Sequence, residues 1–158
     1  MKAVAGFLVV IGLLGLVNAG ETKKVDRLQF RLGEREPGAG LTEMTVSGSK
    51  EKAYLREKVD LSQSDVAQAS AQKAKTGVEI TLVFTEAGKE KLAKLTRENN
   101  RKLLCIVVEG KLVAAPTIVT PIPGGKAALT GSFSLEEANR IVNAILGKKD
   151  VGQPRPGH

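Results

Sequence analysis

The run Leu103–Val108, LLCIVV, constrains the fold more than any other stretch of the chain. A strand with one face on solvent alternates apolar and polar side chains, because successive Cβ atoms point to opposite faces. An unbroken apolar run leaves no solvated face, so this segment is predicted to be a central strand covered on both sides. Cys105, the single cysteine, lies inside it and reads as a small buried hydrophobe and not as a reactive thiol. Neighbouring patterns supply more strands. VDRLQFRL alternates, with Leu28, Phe30 and Leu32 on one face, and VEITLVF places Val78, Ile80, Leu82 and Phe84 on one side. KAYLREKV is a further strand. The EGK at Glu109–Lys111, with Gly110 at its centre, turns the chain into LVAAPTIV, an antiparallel neighbour that Pro116 interrupts or pushes to an edge.

Helices are predicted where the apolar period lengthens. Thr85 caps EAGKEKLAKLTRENN, in which Leu92 and Leu95 face inward and Glu90 and Lys94 hold the favourable i,i+4 spacing. Ser134 and Glu137 have the S-x-x-E spacing of a capping box. Behind them Leu135, Ala138, Ile141, Val142, Ile145 and Leu146 form one apolar stripe, closed by Gly147 with Lys148 and Lys149 at the negative end. LSQSDVAQASAQKAKTG reads as a short helix capped by Ser62, with Asp65 in its first turn, Val66, Ala69 and Ala74 as a stripe, and Gly77 at its end. GEREPGAGLTEMTVSGSK is expected to be a long exposed loop with a short strand at 44–46. The fold class expected is α+β, a single mixed or antiparallel sheet of about five to six strands with two to three helices packed on one face.

At 158 residues the chain has the length of one domain. The organisation expected is a signal peptide at 1–19, an N-terminal strand and exposed loop at 20–50, a domain at 51–147 and a disordered basic tail at 148–158. The signal reading rests on Lys2, the apolar run Ala3–Val17, which is shorter than the ~20 residues of a bilayer span, and the small residues before a cut between Ala19 and Gly20. The competing reading is an uncleaved N-terminal anchor, with Lys23 and Lys24 just beyond it. Either places the domain outside the cytoplasm, periplasmic or secreted.

Composition excludes much chemistry. The only histidine is His158, at the end of the sequence, so no Ser-His-Asp or Cys-His arrangement and no His/Cys metal site is expected, and no cofactor. The chain is basic, at +7, but its lysines are interleaved with glutamates in the manner of a solvated helix face. With no Trp and one Tyr it has little on which to stack bases, so nucleic acid is not an expected partner. Gly124, Gly125 and Lys126 invite comparison with a phosphate-binding loop, G-x-x-x-x-G-K-[ST]. Thr120 stands where the first glycine is needed and Ala127 where the hydroxyl is needed, and Lys126 opens the extended run KAALTGSF and not a helix. The glycines read instead as positive-φ residues of a turn between TIVTPIP and KAALTGSF.

The elements from Val78 to Leu146 resemble the head subdomain of the first periplasmic domain of SecD and fused SecDF, accessory subunits of bacterial protein export. The resemblance is carried by ITLVFTEAGKEKLAKLTREN and LCIVVEGKLVAAPTIVTPIPGGKAALTGSFSLEEANRIVNAI. These keep, in order, the T-x-x-G helix, the apolar strand, the x-G-K turn at Gly110, the A-P at Pro116, the G-G at Gly124 and Gly125, the x-G-x-F at Gly131, and S-x-E-E-A with Ser134 and Glu137. The family's domain holds or guides an emerging polypeptide while a membrane portion uses the proton gradient. Beyond the first nineteen residues this sequence has no apolar run long enough to span a bilayer.

The function expected is a non-catalytic exported module that binds protein, an unfolded client or an envelope component, as an accessory to translocation or envelope assembly. Its contact regions are expected at the sheet edge near Pro116 and in the 33–50 loop. Two alternatives belong to other classes. One is a binder of anionic membrane surface through lysine-rich faces. The other is a carboxylate-dependent hydrolase using Glu136 with Glu137 or Glu86 with Glu90, which needs a cleft and a raised pKa. Oligomeric state is not legible in the sequence.

Overall fold

The computed structural model describes residues 26–148 apart from Thr76 and Ser132; the expected signal peptide with its expected cut at Ala19–Gly20, Lys23, Lys24, Lys149 and the tail with His158 lie outside the described residues. Nine strands and two helices follow in the order β1 (Leu28–Glu34), β2 (Leu41–Thr45), β3 (Lys52–Arg56), β4 (Leu61–Ser62), a single 3-10 turn (Gln63–Asp65), β5 (Val66–Ala74), β6 (Gly77–Phe84), α1 (Glu86–Glu98), β7 (Leu103–Val108), β8 (Lys111–Ala114), β9 (Lys126–Gly131) and α2 (Leu135–Ile145). The fold is α+β and mostly sheet. Its strands divide between two antiparallel sheets, one in the order β2-β3-β1-β7-β8 with β4 also on β1, the other β5-β6-β9.

The division follows from β7, the apolar run. Leu104, Ile106 and Val108 belong to the main core, whereas Leu103, Cys105 and Val107 belong to a second, smaller one. The main core collects Leu28, Phe30 and Leu32 of β1, Val78, Ile80, Leu82 and Phe84 of β6, Leu92 of α1, and Ala138, Val142 and Ile145 of α2. The rings of Phe30 and Phe84, one from each sheet, lie 5.5 Å apart between centroids. The second core is capped by the β2–β3 hairpin, which brings Ala53, Leu55 and the half-buried Met44 over the outer face of β7. An unbroken apolar run therefore marks a strand with two covers, as the pleat requires.

Gly33 lets the hairpin reach that face. A Cβ there would lie 2.5 Å from Cys105 Sγ and 3.1 Å from the Tyr54 carbonyl oxygen, so the backbones of β1, β3 and β7 meet without a side chain between them. Burial pushes the Cys105 thiol up to about 12. The folded protein is expected to resist iodoacetamide at pH 8, with labelling appearing only as denaturant opens the fold; prompt stoichiometric labelling of native protein would contradict the second core.

One segment departs from its predicted element. LSQSDVAQASAQKAKTG forms β4, the 3-10 turn and β5, and not a helix. Asp65 is in a first turn, as its spacing suggests, and its carboxylate accepts the Ser62 N–H at 2.9 Å, but the turn closes after three residues. Beyond it Ala69 and Ala71 alternate toward the main core while Ser70 and Gln72 face outward, and a bulge between Val66 and Gln68 sets the register on β6. Small polar residues with little apolar content are ambiguous between the two periods; pairing with the strongly β-prone β6 decides. The segment expected to be a loop at 33–50 contributes β2, at 41–45, paired along its length with β3. Among the described residues the ion pairs of α1 are Glu86–Lys89, 3.6 Å, and Lys91–Asp65, 2.7 Å; Glu90 and Lys94, at i,i+4 spacing, do not pair.

Candidate functional site

β8 and β9 are terminal strands of their sheets. β9 therefore has one backbone edge without a neighbouring strand, and the outer edge of β8 is met only at Leu112, by the Ser47 N–H. Beside them is a groove of two adjoining lobes that share Ser47, Gly48, Val113 and Phe133 in their walls. The edge lobe, about 410 Å³, lies between β8 with its continuation Ala115–Thr117 on one side and Ala128–Gly131 of β9 on the other. The helix lobe, about 650 Å³, lies under α2 beside the β7–β8 turn.

Local chemistry explains each wall. Glu109 and Gly110 both have positive φ, 49° and 80°, which gives the two-residue hairpin its hand and pairs Val108 with Lys111. β8 ends at Ala114 because Pro116 has no N–H to continue the ladder. Pairing with β7 resumes immediately: the Leu104 N–H donates to the Pro116 carbonyl at 2.9 Å and Leu103 bridges Thr117. Pro116 thus lies on an edge, in the wall of the groove. Arg35 donates to Thr117 Oγ1 at 2.5 Å, and the Ser47 N–H donates to the Leu112 carbonyl at 2.8 Å. Those two bonds draw the 33–50 region against the edge near Pro116, so the two contact regions read from the sequence form a single groove.

Of the two glycines in GG, only Gly125 has positive φ, 65°. The turn lies between TIVTPIP and KAALTGSF, as its glycines suggest, and leads into β9, which pairs with β6. TIVTPIP is occupied elsewhere, at Thr117 with Leu103 and at Ile122, whose N–H donates at 2.9 Å to the buried Thr96 hydroxyl of α1. Gly125 also permits a close approach: a Cβ there would press at 3.1–3.2 Å on the Lys89 stem, and its carbonyl accepts the Phe84 N–H at 2.9 Å. Lys126 opens a strand, as predicted, so the segment lacks the helix entry on which a phosphate loop depends.

Gly131 ends β9, and a Cβ there would collide with the Phe133 ring at 2.5 Å. The x-G-x-F spacing is thereby explained, because the missing side chain lets Phe133 fold back as the wall common to both lobes. Ser134 and Glu137 form the predicted capping box, with Ser134 Oγ accepting the Glu137 N–H at 3.1 Å and Glu137 Oε2 accepting the Ser134 N–H at 2.9 Å. Those bonds hold the Glu137 carboxyl below the usual glutamate range. A general acid requires the opposite shift. Glu136 is 84% exposed and reaches Arg140 at 3.9 Å, and Glu86 is 88% exposed. Among the described residues no group of His, Cys, Asp and Glu is arranged to hold a metal ion, and no helix is long and apolar enough to cross a membrane.

A cluster at the other end of the hairpin was not anticipated. Glu34 accepts from Lys102 Nζ at 2.8 Å and Arg56 Nη2 at 3.2 Å. The Lys102 hydrogen bond, aided by Arg56, lowers its pKa. A carboxylate depressed in the folded state adds stability that is complete above its ordinary pKa of about 4.3 and disappears as pH falls through the folded value. Glu34→Gln is expected to flatten stability against pH between about pH 5 and pH 3. An unchanged acid slope in the variant would remove Glu34 from that role.

Residues 41–147 match the family model described as SecDF, P1 head subdomain. The protein translocase subunit SecD of Leptotrichia buccalis is 29% identical over 119 residues, covering 75% of this chain and 26% of that protein. SecDF of Thermus thermophilus is 39% identical over 82 residues, 51% of this chain and 11% of that one. The crystal structure of SecDF in its super-membrane-facing form superposes with a TM-score of 0.62 at 26% identity, over 78% of this chain and 19% of that chain. A second SecDF structure, of a membrane component that enhances protein export, gives 0.61 at 25% identity, over 78% of this chain and 64% of that one. The chain spans about a quarter of the length of the Leptotrichia relative. The alternation of β7 between two cores, the T-x-x-G helix and the G-x-F wall all fall inside the matched residues, and the chain belongs to the SecDF P1 head subdomain family.

Proposed function

We propose that this domain is an extracytoplasmic accessory of protein translocation that contacts polypeptide segments without catalysing a reaction of its own. One observation carries the proposal: two strand edges, β8 with Pro116 and β9, face a common groove whose walls mix apolar side chains with polar ones. Backbone groups on such edges accept an added strand in any sequence, while the walls receive its side chains. That is the chemistry a site for varied unfolded chains requires. Relatives named as translocase subunits and a neighbour described as enhancing protein export support the assignment. The lowered Glu137 pKa and the exposure of Glu136 and Glu86 argue against the hydrolase alternative.

The test is site-specific photocrosslinking of the full chain to a reduced, unfolded client. A photoreactive side chain at Ala115 or Thr130, in the groove walls, is expected to crosslink, whereas one at Lys94 on the exposed face of α1 is not. Equal yields at all three positions would overturn the assignment.

A further inference from the structure

We propose that the helix lobe selects extended polypeptide segments in which an apolar side chain is flanked by carboxylates. The proposal rests on the polypeptide-binding reading above and adds to it the charge of the preferred segment. The floor of this lobe is apolar, from Val108, Val113, Phe133, Ile141 and Ala144. Its rim is not neutral. Arg27 just before β1, Lys111 at the start of β8, and Arg140 and Lys148 on and after α2 converge on it from three separate parts of the chain.

The acidic residues of the lobe do not cancel that rim. Glu109 and Glu137 are the two carboxylates lining it, against the four cations, and Glu137 is held ionised by the Ser134 N–H with help from Arg140, which leaves the lobe with an excess of positive charge. Arg140 reaches Glu136 only at 3.9 Å, between two well-exposed side chains. Among the described residues Arg27, Lys111 and Lys148 form no ion pair, as is also true of Lys50, Lys73, Lys75, Lys94 and Lys126. What sets the cations of this lobe apart is their placement together around an apolar floor, where an incoming carboxylate can meet them. The chain's net charge of +7 draws the same ligands at longer range.

The occupant that satisfies both features is a polypeptide. An apolar side chain fills the floor, and neighbouring aspartates or glutamates meet the rim. Each exposed pair contributes modestly and is screened by salt, so the rim sets preference and not bulk affinity.

The experiment uses the full chain and three short synthetic peptides, measured by fluorescence anisotropy. The first has a Leu-Val-Phe centre flanked by aspartates, the second the same centre flanked by lysines, and the third aspartates around a serine centre. At low salt the first is expected to bind about five- to tenfold tighter than the second, with the gap closing as salt rises, and the third is expected to bind weakest. The double variant Lys111→Glu with Lys148→Glu, both at exposed positions, is expected to reverse the preference while its circular dichroism and melting stay unchanged. Equal affinity for the first two peptides would overturn the charge preference and leave polypeptide binding standing. A preference that the double variant does not alter would remove the helix lobe as its source. Binding to neither peptide would end both proposals, and salt-sensitive binding to phosphatidylglycerol vesicles in that case would assign the basic rim to lipid.

Discussion

Gly88→Ala is expected to destabilise the domain by about 3 kcal/mol, although alanine is the better helix former by about 1 kcal/mol. Gly88 lies in the first turn of α1, where its N–H donates to Thr85 Oγ1 at 3.0 Å. A Cβ at this position would fall inside contact distance of the Asp65 carbonyl oxygen and 3.0 Å from both the Asp65 carbonyl carbon and Cβ. Asp65 cannot retreat cheaply. Its carbonyl accepts the Thr85 N–H at 2.9 Å and the Thr85 hydroxyl at 3.3 Å, and its buried carboxylate holds Ser62 N–H and Lys91 Nζ at 2.9 and 2.7 Å. Relieving the collision therefore means separating α1 from the 3-10 turn, with loss of several of these bonds. Urea unfolding followed by circular dichroism measures the outcome; a variant as stable as the parent would show that helix propensity outweighs the contact.

Phe30→Ala is expected to cost about 4 kcal/mol, the upper range for emptying an aromatic site in a core that cannot collapse. The ring is fully buried on β1 and meets Phe84 of the other sheet at 5.5 Å, tilted 56°. Its removal leaves a cavity at the junction of the two sheets and forfeits an aromatic pair worth about 1 kcal/mol beyond its buried area. Phe30→Leu, which keeps most of the volume, is expected to cost about 1.5 kcal/mol or less. With no Trp and a single Tyr in the chain, far-ultraviolet circular dichroism is the suitable probe. Equal losses in the two variants would mean that the ring itself is not what fills the junction.

The contrast between these two sites shows what a sequence can display. Phe30 is legible, because period-two alternation places it on the same face as Leu28 and Leu32, and all three are buried. The two-sided burial of β7 is equally legible, as are both capped helices and the Glu109–Gly110 turn. Gly88 is visible only as an anomaly, a glycine spent inside a helix, since the backbone it must clear comes from Asp65, 23 positions earlier. Segment 61–77 is misread for a related reason: its own side chains are too small and polar to impose a period, and β6 imposes one on it. The partner of β9 is not legible in the sequence, because it is β6, more than 40 residues earlier, while the adjacent TIVTPIP is engaged by Thr96 and Leu103. The groove was anticipated in its two margins but not as a single feature, because it exists only once the hairpin folds back through Gly33.

Placing the β2–β3 hairpin over one face of β7 has a mechanical consequence. Its tip, at Ser47 and Gly48, forms part of both lobes, yet what secures it is the smaller core of Ala53, Leu55, Leu103, Cys105, Val107 and Leu112. Lifting the hairpin breaks its short pairing with β1 at Gly33–Leu55 and Glu34–Tyr54 and the Ser47–Leu112 bond and uncovers those side chains, yet it leaves the junction of the sheets intact, so it demands a fraction of the work of unfolding. The mouth of the groove can accordingly widen while the scaffold behind it stays assembled.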